Sequence, residues 1–519
     1  MKWALPAALV GLAAALAATW PAALTWSTHS IVPLGYADVQ AGLWWPKQVG
    51  DALLTGANPF VARGSFWPAG QDVTLLVWNV LAELLIWPLW QLFPPHAALN
   101  LAAFAAAAVN AVACAAAARR LGAAALETLA AAALAGGSHF AFVEMVNGRI
   151  EQAFWGPVAL FLAELVARDQ RPMRAGVWLG VAAAVYWFYG YFLLLITLAW
   201  LAGHRSRAAA EGVLKLGVTS LVVAGPFLAP VLWALAHGGP KRAGENTLLS
   251  QAAGSVPVPE GLFWPLGGVE PAFAAQAVPL LLLPGGAWAV LRGAGPLRWL
   301  GGIVVSAVVL SLGPALVGAH GAPLAVQVWM PQALLNGLPG MGRFWWSYRW
   351  LTVAIPAFIL VVVVSSLRPR LLALLVLGCF VESASLLRGG TLTRPLPRQG
   401  VRPPPEVAEL KENPGEFPVL ILPTGDVHAI HLGYTAWFDQ PTSLGLGGHL
   451  PGVAPLGYAE RFSPEDTGEF RYVLLFYRDA RPGSRTHDAQ TSELDRRLRV
   501  RLGAPVAHND IAAWWRVPD

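Results

Sequence analysis

Along this chain long apolar stretches alternate with short polar loops, and twelve such stretches can be marked, at about 3–26, 73–93, 97–118, 125–145, 152–167, 175–189, 189–203, 213–236, 272–291, 297–318, 347–367 and 369–387. Many reach the roughly 17–25 residues that a helix needs to cross a hydrocarbon core. In lipid each must close its own backbone hydrogen bonds, so helices are predicted. The pattern changes near Arg388. Residues 391–405 form a basic, Pro-rich linker that cannot continue a helix. Short alternations at 417–423, 471–477 and 498–517 then suit strands. The predicted fold class is mainly α: a polytopic helical membrane domain over 1–390, then a small α/β soluble domain over 406–519.

Composition agrees with the pattern. Hydrophobic residues make up 56% of the 519 and charged residues 13%, with a mean hydropathy of +0.52. That is more apolar surface than one soluble core can bury. The 24 Trp suit interfacial belts. Cys114 and Cys379 both fall within apolar stretches, so neither a disulfide framework nor a metal cluster is expected. The net charge of +5 comes from basic residues scattered through short loops. This argues against nucleic acid as a partner and makes the charges reporters of topology.

If all twelve stretches crossed with Lys2 in the cytoplasm, Arg119 and Arg120, the run Arg168–Arg174, Arg205 with Arg207, and Arg368 with Arg370 would all lie outside. That inverts the positive-inside rule. The parity error lies upstream of Arg119, and the weakest stretch is 73–93, which carries Asn79, Glu83 and Pro88. Reading it as juxtamembrane or re-entrant leaves about eleven spans and returns the basic loops to the cytoplasm. Cleavage of the first stretch as a signal peptide is the other repair. Under either, the loops 27–96, 147–152, 237–271 and 319–346 and everything after 388 share the outer face.

Candidate chemistry gathers on that face. Asp38 follows the first stretch and precedes an aromatic, Gly-rich and Pro-rich loop containing Trp44, Trp45 and Asn58. A carboxylate at a membrane boundary is either a helix-end cap or a functional acid. Arg149, Glu151 and Gln152 form a polar turn between two stretches, as a helix start or as part of the same cavity. Arg343 and Arg349, within the aromatic run 338–350, either snorkel to the interface or bind phosphate bidentately, the aromatics holding a sugar or isoprenoid face. Lys241 and Arg242 are further cationic candidates. Asp426, His428 and His431 have only a weak metal-ligand spacing, and no Walker loop is visible. No cofactor is predicted, and a divalent metal has no support in the sequence.

The order of these motifs carries a resemblance. An acid after the first stretch, Trp44-Trp45, Gly56–Phe60 and Phe66–Gly70, then 147–152, 186–192, 311–314 and 338–344, resembles the bacterial polytopic GT-C fold glycosyltransferases over about 390 residues. The domain after 405 is similar to one that many of them carry outside the membrane. The resemblance implies a multi-pass protein of the bacterial inner membrane with its C-terminal domain in the periplasm. It implies transfer of a sugar from a polyprenyl-phosphate carrier to a glycan, glycolipid or protein acceptor. Asp38 would be the general base, and Arg343, Arg349, Lys241 or Arg242 would answer the phosphate charge. The chain departs from many relatives where Val39 and Gln40, not a second acid, follow Asp38. Two other classes stay open: a transporter of lipid-linked intermediates, and a noncatalytic membrane scaffold.

Overall fold

The computed structural model describes residues 2–31, 37–63, 70–74, 80–237, 275–318, 328–338, 346–365, 367–389, 399–401, 403–413, 417–422, 470–477, 486–509 and 511–518, with isolated positions between them. Helix α1 (Ala4–Thr19) is an Ala-rich and Leu-rich run stopped before Pro21. Strand β1 (His29–Ser30), helix α2 (Ala37–Leu54), the short ribbon β2 (Val61–Ala62) with β3 (Gln71–Asp72), and α3 (Val80–Leu92) fill the chain up to α4 (Pro95–Arg120). Small residues let α1 and α4 approach: a Cβ on Gly11 would lie 2.3 Å from Ala111 Cβ. At one end of this pair the Arg119 guanidinium sits 5.9 Å from the Trp3 ring. At the other, Asn100 donates to the Trp26 and His29 carbonyls, both at 2.8 Å. The segment between α1 and α4 therefore begins and ends at the same end of the bundle, and α3 adds no net crossing.

Helices α5 (Ala125–Gly136), α6 (His139–Val146), α7 (Ile150–Ala153) and α8 (Gly156–Val166) follow. The break between α7 and α8 lies beside the middle of α4, where Asn110 is fully buried. Its Nδ2 donates to the Ala153 carbonyl at 2.7 Å and its Oδ1 accepts the Gly156 amide at 2.8 Å. Irregular backbone at bilayer depth survives only where protein satisfies it, and this one asparagine supplies both partners. Helices α9 (Pro172–Val185) and α10 (Trp187–Gly203) form a hairpin with Tyr186 extended at its apex. Helix α11 (Arg207–Ala236) packs on α9 where Gly176 and Gly180 admit Leu216, Thr219 and Val223. Helices α12 (Leu282–Arg292), α13 (Pro296–Ser311), α14 (Leu351–Val364) and α15 (Pro369–Leu386) complete the bundle.

Arg120 pairs with Glu164 at 2.7 Å and Asp169 at 2.5 Å, and Arg174 with Glu164 at 3.4 Å, so the basic loops after α4 and α8 meet at one end. Five helical runs, Pro95–Arg120, Ala125–Met145, Arg207–Ala234, Ser347–Val364 and Pro369–Leu386, are long and apolar enough to cross a membrane. Six apolar helices of 10–17 residues accompany them among the described residues. At the end opposite the basic loops, Arg388 follows α15 and donates to the carbonyls of Ala18 at 2.8 Å and Trp20 at 2.6 Å, closing the C-terminus of α1.

The polypeptide after 388 is docked to this same end. Strand β4 (Gln399–Gly400) pairs antiparallel with β1, which ties residues 399–400 to the chain just after α1. Strands β5 (Val419–Leu422), β6 (Tyr472–Phe476), β7 (Ala507–His508) and β8 (Ala512–Arg516) make a sheet ordered β5-β6-β8-β7, with β5 parallel to β6 and the other pairs antiparallel. Helix α16 (Thr486–Leu502) covers one face through Leu494, Leu498 and Leu502. This corrects the strand expectation for 498–502. The alternation there belongs to a helix whose Asp495–Arg499 and Glu493–Arg496 pairs, at 2.7 and 2.6 Å, follow i,i+4 and i,i+3 spacing. The other face of the sheet packs on α2.

Candidate functional site

The site is built where α2 meets the turn after α6. Asn147, Gly148 and Arg149 end α6 in a Schellman motif: the Arg149 amide bonds the Glu144 carbonyl and the Gly148 amide the Met145 carbonyl, both at 2.9 Å. Gly148 takes a φ of 78°, which a Cβ would oppose. Its bare backbone is the surface that α2 meets. A Cβ on Gly42 would lie 2.6 Å from Gly148 Cα, so the two backbones are in direct contact. Asp38 is in the first turn of α2, four residues before Gly42. Its side chain falls outside the described residues.

Behind the turn is a polar network within apolar walls. Tyr348 donates to Glu144 Oε1 at 2.9 Å, and Arg149 Nη1 donates to Tyr348 Oη at 2.7 Å. Arg149 lies 3.5 Å from Glu144, which is fully buried, and its guanidinium stands 5.0 Å from the Trp346 ring. Arg349 bonds the Tyr186 hydroxyl and lies over the Tyr186 ring at 5.5 Å. Gln152 donates to Glu151 at 3.0 Å, and Tyr189 fixes the next turn by donating to the Gln152 carbonyl at 2.7 Å. Glu151 interacts electrostatically with Arg149, Arg349, Glu144 and Glu83 of α3. Three buried or half-buried carboxylates and two guanidiniums from four separate segments thus share one neighbourhood.

The sequence candidates divide on this geometry. Arg149, Glu151, Gln152 and Arg349 are brought together, and Asp38 belongs to α2, the helix whose Gly42 touches Gly148 of the same turn. Trp44 and Trp45 are not in the network. Both are buried, with ring centroids 5.7 Å apart, in an apolar cluster with Ile421, Leu474, Phe476 and Trp514 of the C-terminal sheet. Asn58 is exposed and its Oδ1 accepts the Phe60 amide at 3.0 Å, a turn role. Lys241, Arg242 and Arg343, as well as Asp426, His428 and His431, lie outside the described residues. Glu144, Tyr186 and Tyr348 were not among the sequence candidates for the site; the two tyrosines entered only as members of the aromatic runs 186–192 and 338–350. For Glu144 the signal was present, as an isolated acid in an apolar helix.

The bundle with its docked C-terminal sheet matches known architectures. ArnT from Cupriavidus metallidurans, solved bound to undecaprenyl phosphate, aligns over 99% of this chain and 98% of its own, with 12% identity and a TM-score of 0.53. The fold is of GT-C type. The oligosaccharyltransferase of Archaeoglobus fulgidus in its apo form aligns over 92% of this chain and 69% of its own, with 11% identity and a TM-score of 0.50. No family model matches the chain, and no curated protein matches it in sequence. Within the GT-C fold, the cluster lies at the end of the bundle where the C-terminal domain docks.

Chemically, the cluster offers charge of both signs in a poorly hydrated setting. Arg349 Nε is buried with no hydrogen-bond acceptor among the described residues. A buried guanidinium with an open donor favours an incoming anion, because an unmet charged donor is costly. Among the described residues no three His, Cys, Asp or Glu side chains converge as a metal site.

Proposed function

We propose that this protein is a membrane glycosyltransferase that moves a sugar from a polyprenyl-phosphate carrier to a cell-envelope acceptor, with Asp38 as general base. The reading is carried by one observation. The helix that bears Asp38 is held backbone to backbone against Gly148, and the residues that follow that glycine, Arg149 and Glu151, belong to the charge network containing Arg349.

In this reading the acceptor hydroxyl attacks the anomeric carbon as its proton passes to Asp38. The bond from that carbon to the phosphate oxygen breaks, and its electron pair leaves with the polyprenyl phosphate. A single displacement inverts the anomeric centre. Positive charge builds on the sugar ring, which nearby carboxylates such as Glu151 stabilise. Negative charge builds on the phosphate, and Arg349 answers it through its open Nε donor. Tyr348 and Glu144 hold Arg149 in place, and Tyr186 holds Arg349. The acceptor is a glycolipid, a polysaccharide or a protein, with reaction on the outer face of a bacterial inner membrane.

The test is sugar transfer in proteoliposomes against a panel of polyprenyl-phosphate sugars and extracted envelope acceptors. Asp38→Asn is expected to lower turnover by at least about a hundredfold with donor binding retained. Transfer by Asp38→Asn at the wild-type rate would refute the assignment.

A further inference from the structure

At the opposite end of the bundle, among the basic loops, lies a cavity of about 460 Å³ between the start of α9 and the α10–α11 turn. Helix α9, running from Pro172 at this cavity to Val185 beside the charge network, separates the two sites by roughly 20 Å at 1.5 Å per residue. We propose that this cavity binds the headgroup of an anionic, hydroxyl-bearing phospholipid such as phosphatidylglycerol. The ligand would come from the leaflet on the side of the basic loops.

The charges on the cavity wall decide its sign. Two acids line it, and both are already paired: Glu164 with Arg120 and Arg174 at 2.7 and 3.4 Å, and Glu211 with Arg207 at 3.0 Å. Arg171 is held by Asp169 at 3.0 Å. Lys215 lines the same wall and takes part in no ion pair among the described residues. It is the cation left for a phosphate. His204 lines the same cavity, its Nδ1–H donating to the Trp200 carbonyl at 2.9 Å. The ring is stacked between Trp200 and Trp299, at centroid distances of 4.3 and 5.3 Å, so its orientation is fixed. Nδ1 is thereby committed as a donor, and no described residue bonds Nε2. That nitrogen can accept from a headgroup hydroxyl.

The apolar surroundings distinguish a lipid from a free anion. On either side of Lys215, α11 exposes Leu214, Val218, Leu221 and Val222, each more than half accessible and spaced as one helical stripe. A phosphate on Lys215 would leave its acyl chains along that stripe. Basic pockets between helices at a membrane surface take lipid headgroups in this manner.

The experiment uses the full chain in detergent, titrated with dioleoylphosphatidylglycerol, dioleoylphosphatidylcholine or inorganic phosphate and read by native mass spectrometry for bound ligand. Wild type is expected to retain phosphatidylglycerol about tenfold better than phosphatidylcholine: both carry the phosphate, but the choline ammonium is repelled by Lys215 and offers His204 no hydroxyl, and one such contact is worth about that factor. Lys215→Ala and His204→Ala should each erode that preference, whereas Arg370→Ala, a basic residue of the same end outside the cavity, should not. Lys215 is exposed, so its variant folds whatever His204→Ala does. Equal retention of the two lipids overturns the proposal, as does a preference unaffected by Lys215→Ala. Inorganic phosphate displacing phosphatidylglycerol at millimolar concentration would make the cavity a free-anion site and overturn the lipid assignment.

Discussion

Replacing Gly42 with alanine tests whether α2 must touch the 147–151 turn. The added Cβ would stand 2.6 Å from Gly148 Cα, 2.7 Å from its carbonyl oxygen and 3.0 Å from its carbonyl carbon, where ordinary contact begins at 3.4 Å. The obstruction is backbone, so no side chain can swing aside. The helix must move by roughly 1 Å, at an overpacking cost of about 1–3 kcal/mol. In a helix, alanine itself recovers about 0.5–1 kcal/mol over glycine. The net expectation is a loss of stability of about 0–2.5 kcal/mol. Displacing the segment that bears Asp38 by 1 Å is expected to cost about a hundredfold in transfer rate, well beyond the small loss of folded protein. Gly217→Ala and Gly225→Ala are the controls, because both lie in α11 with nothing within 4 Å of a new Cβ. They should raise the melting temperature slightly and leave transfer unchanged. The assay is proteoliposome sugar transfer alongside a thermal melt. Gly42→Ala with full transfer and an unchanged melt would refute the reasoning that this approach sets the site.

Two further outcomes follow from buried contacts. Asn110→Ala strands the Ala153 carbonyl and the Gly156 amide at the α7–α8 break, so a loss of about 2–4 kcal/mol is expected, read as a fall in melting temperature; an unchanged melt would mean that the break does not depend on this side chain. Trp514→Ala empties a position 1% exposed between the C-terminal sheet and α2, with an expected cost of about 3–5 kcal/mol and faster hydrogen exchange across 42–54, while the helical bundle keeps its protection.

The sequence displayed the helices plainly because a membrane segment has to satisfy itself locally. Apolar runs longer than about 17 residues have few other uses. Strands β5 and β6 were legible for a related reason, as short apolar runs bounded by Pro and charged residues. The run 498–502 was not, since Leu-Arg-Val-Arg-Leu satisfies period two on its face. Only the neighbouring ion pairs and the leucine spacing from 494 to 502 reveal the helix. In the site, Arg149, Glu151, Gln152 and Arg349 stood out as polar residues at the ends of apolar runs. Tyr186 and Tyr348 did not, because an aromatic residue at a helix end reads equally as a membrane-interface anchor. What turns them into network members is pairing across separations of 163 and 204 residues, which no local pattern encodes.

Trp44 and Trp45 show how such distant pairing changes a role. In sequence they follow a candidate acid and read as candidates for its cavity, yet they sit under the C-terminal sheet, and that position has a consequence for Asp38. Helix α2 is held at two places: Gly42 rests on Gly148 of the bundle, and Trp44, Trp45 and Val49 rest on Leu474, Phe476 and Trp514. Pro46 lies within the second of these and removes the amide that would have bonded the Gly42 carbonyl; Trp90 Nε1 donates to the neighbouring Leu43 carbonyl at 2.8 Å. A helix weakened at its middle would bend under either contact alone. Burial of each indole at about 25 cal/mol per Å² over roughly 200 Å² gives an upper value near 5 kcal/mol, enough to hold the middle of α2 against thermal bending. The docked sheet and the 147–151 turn therefore act together in setting where the first turn of α2 lies. If Asp38 is the base, the C-terminal domain belongs to the scaffold of the site even though none of its described residues joins the charge network.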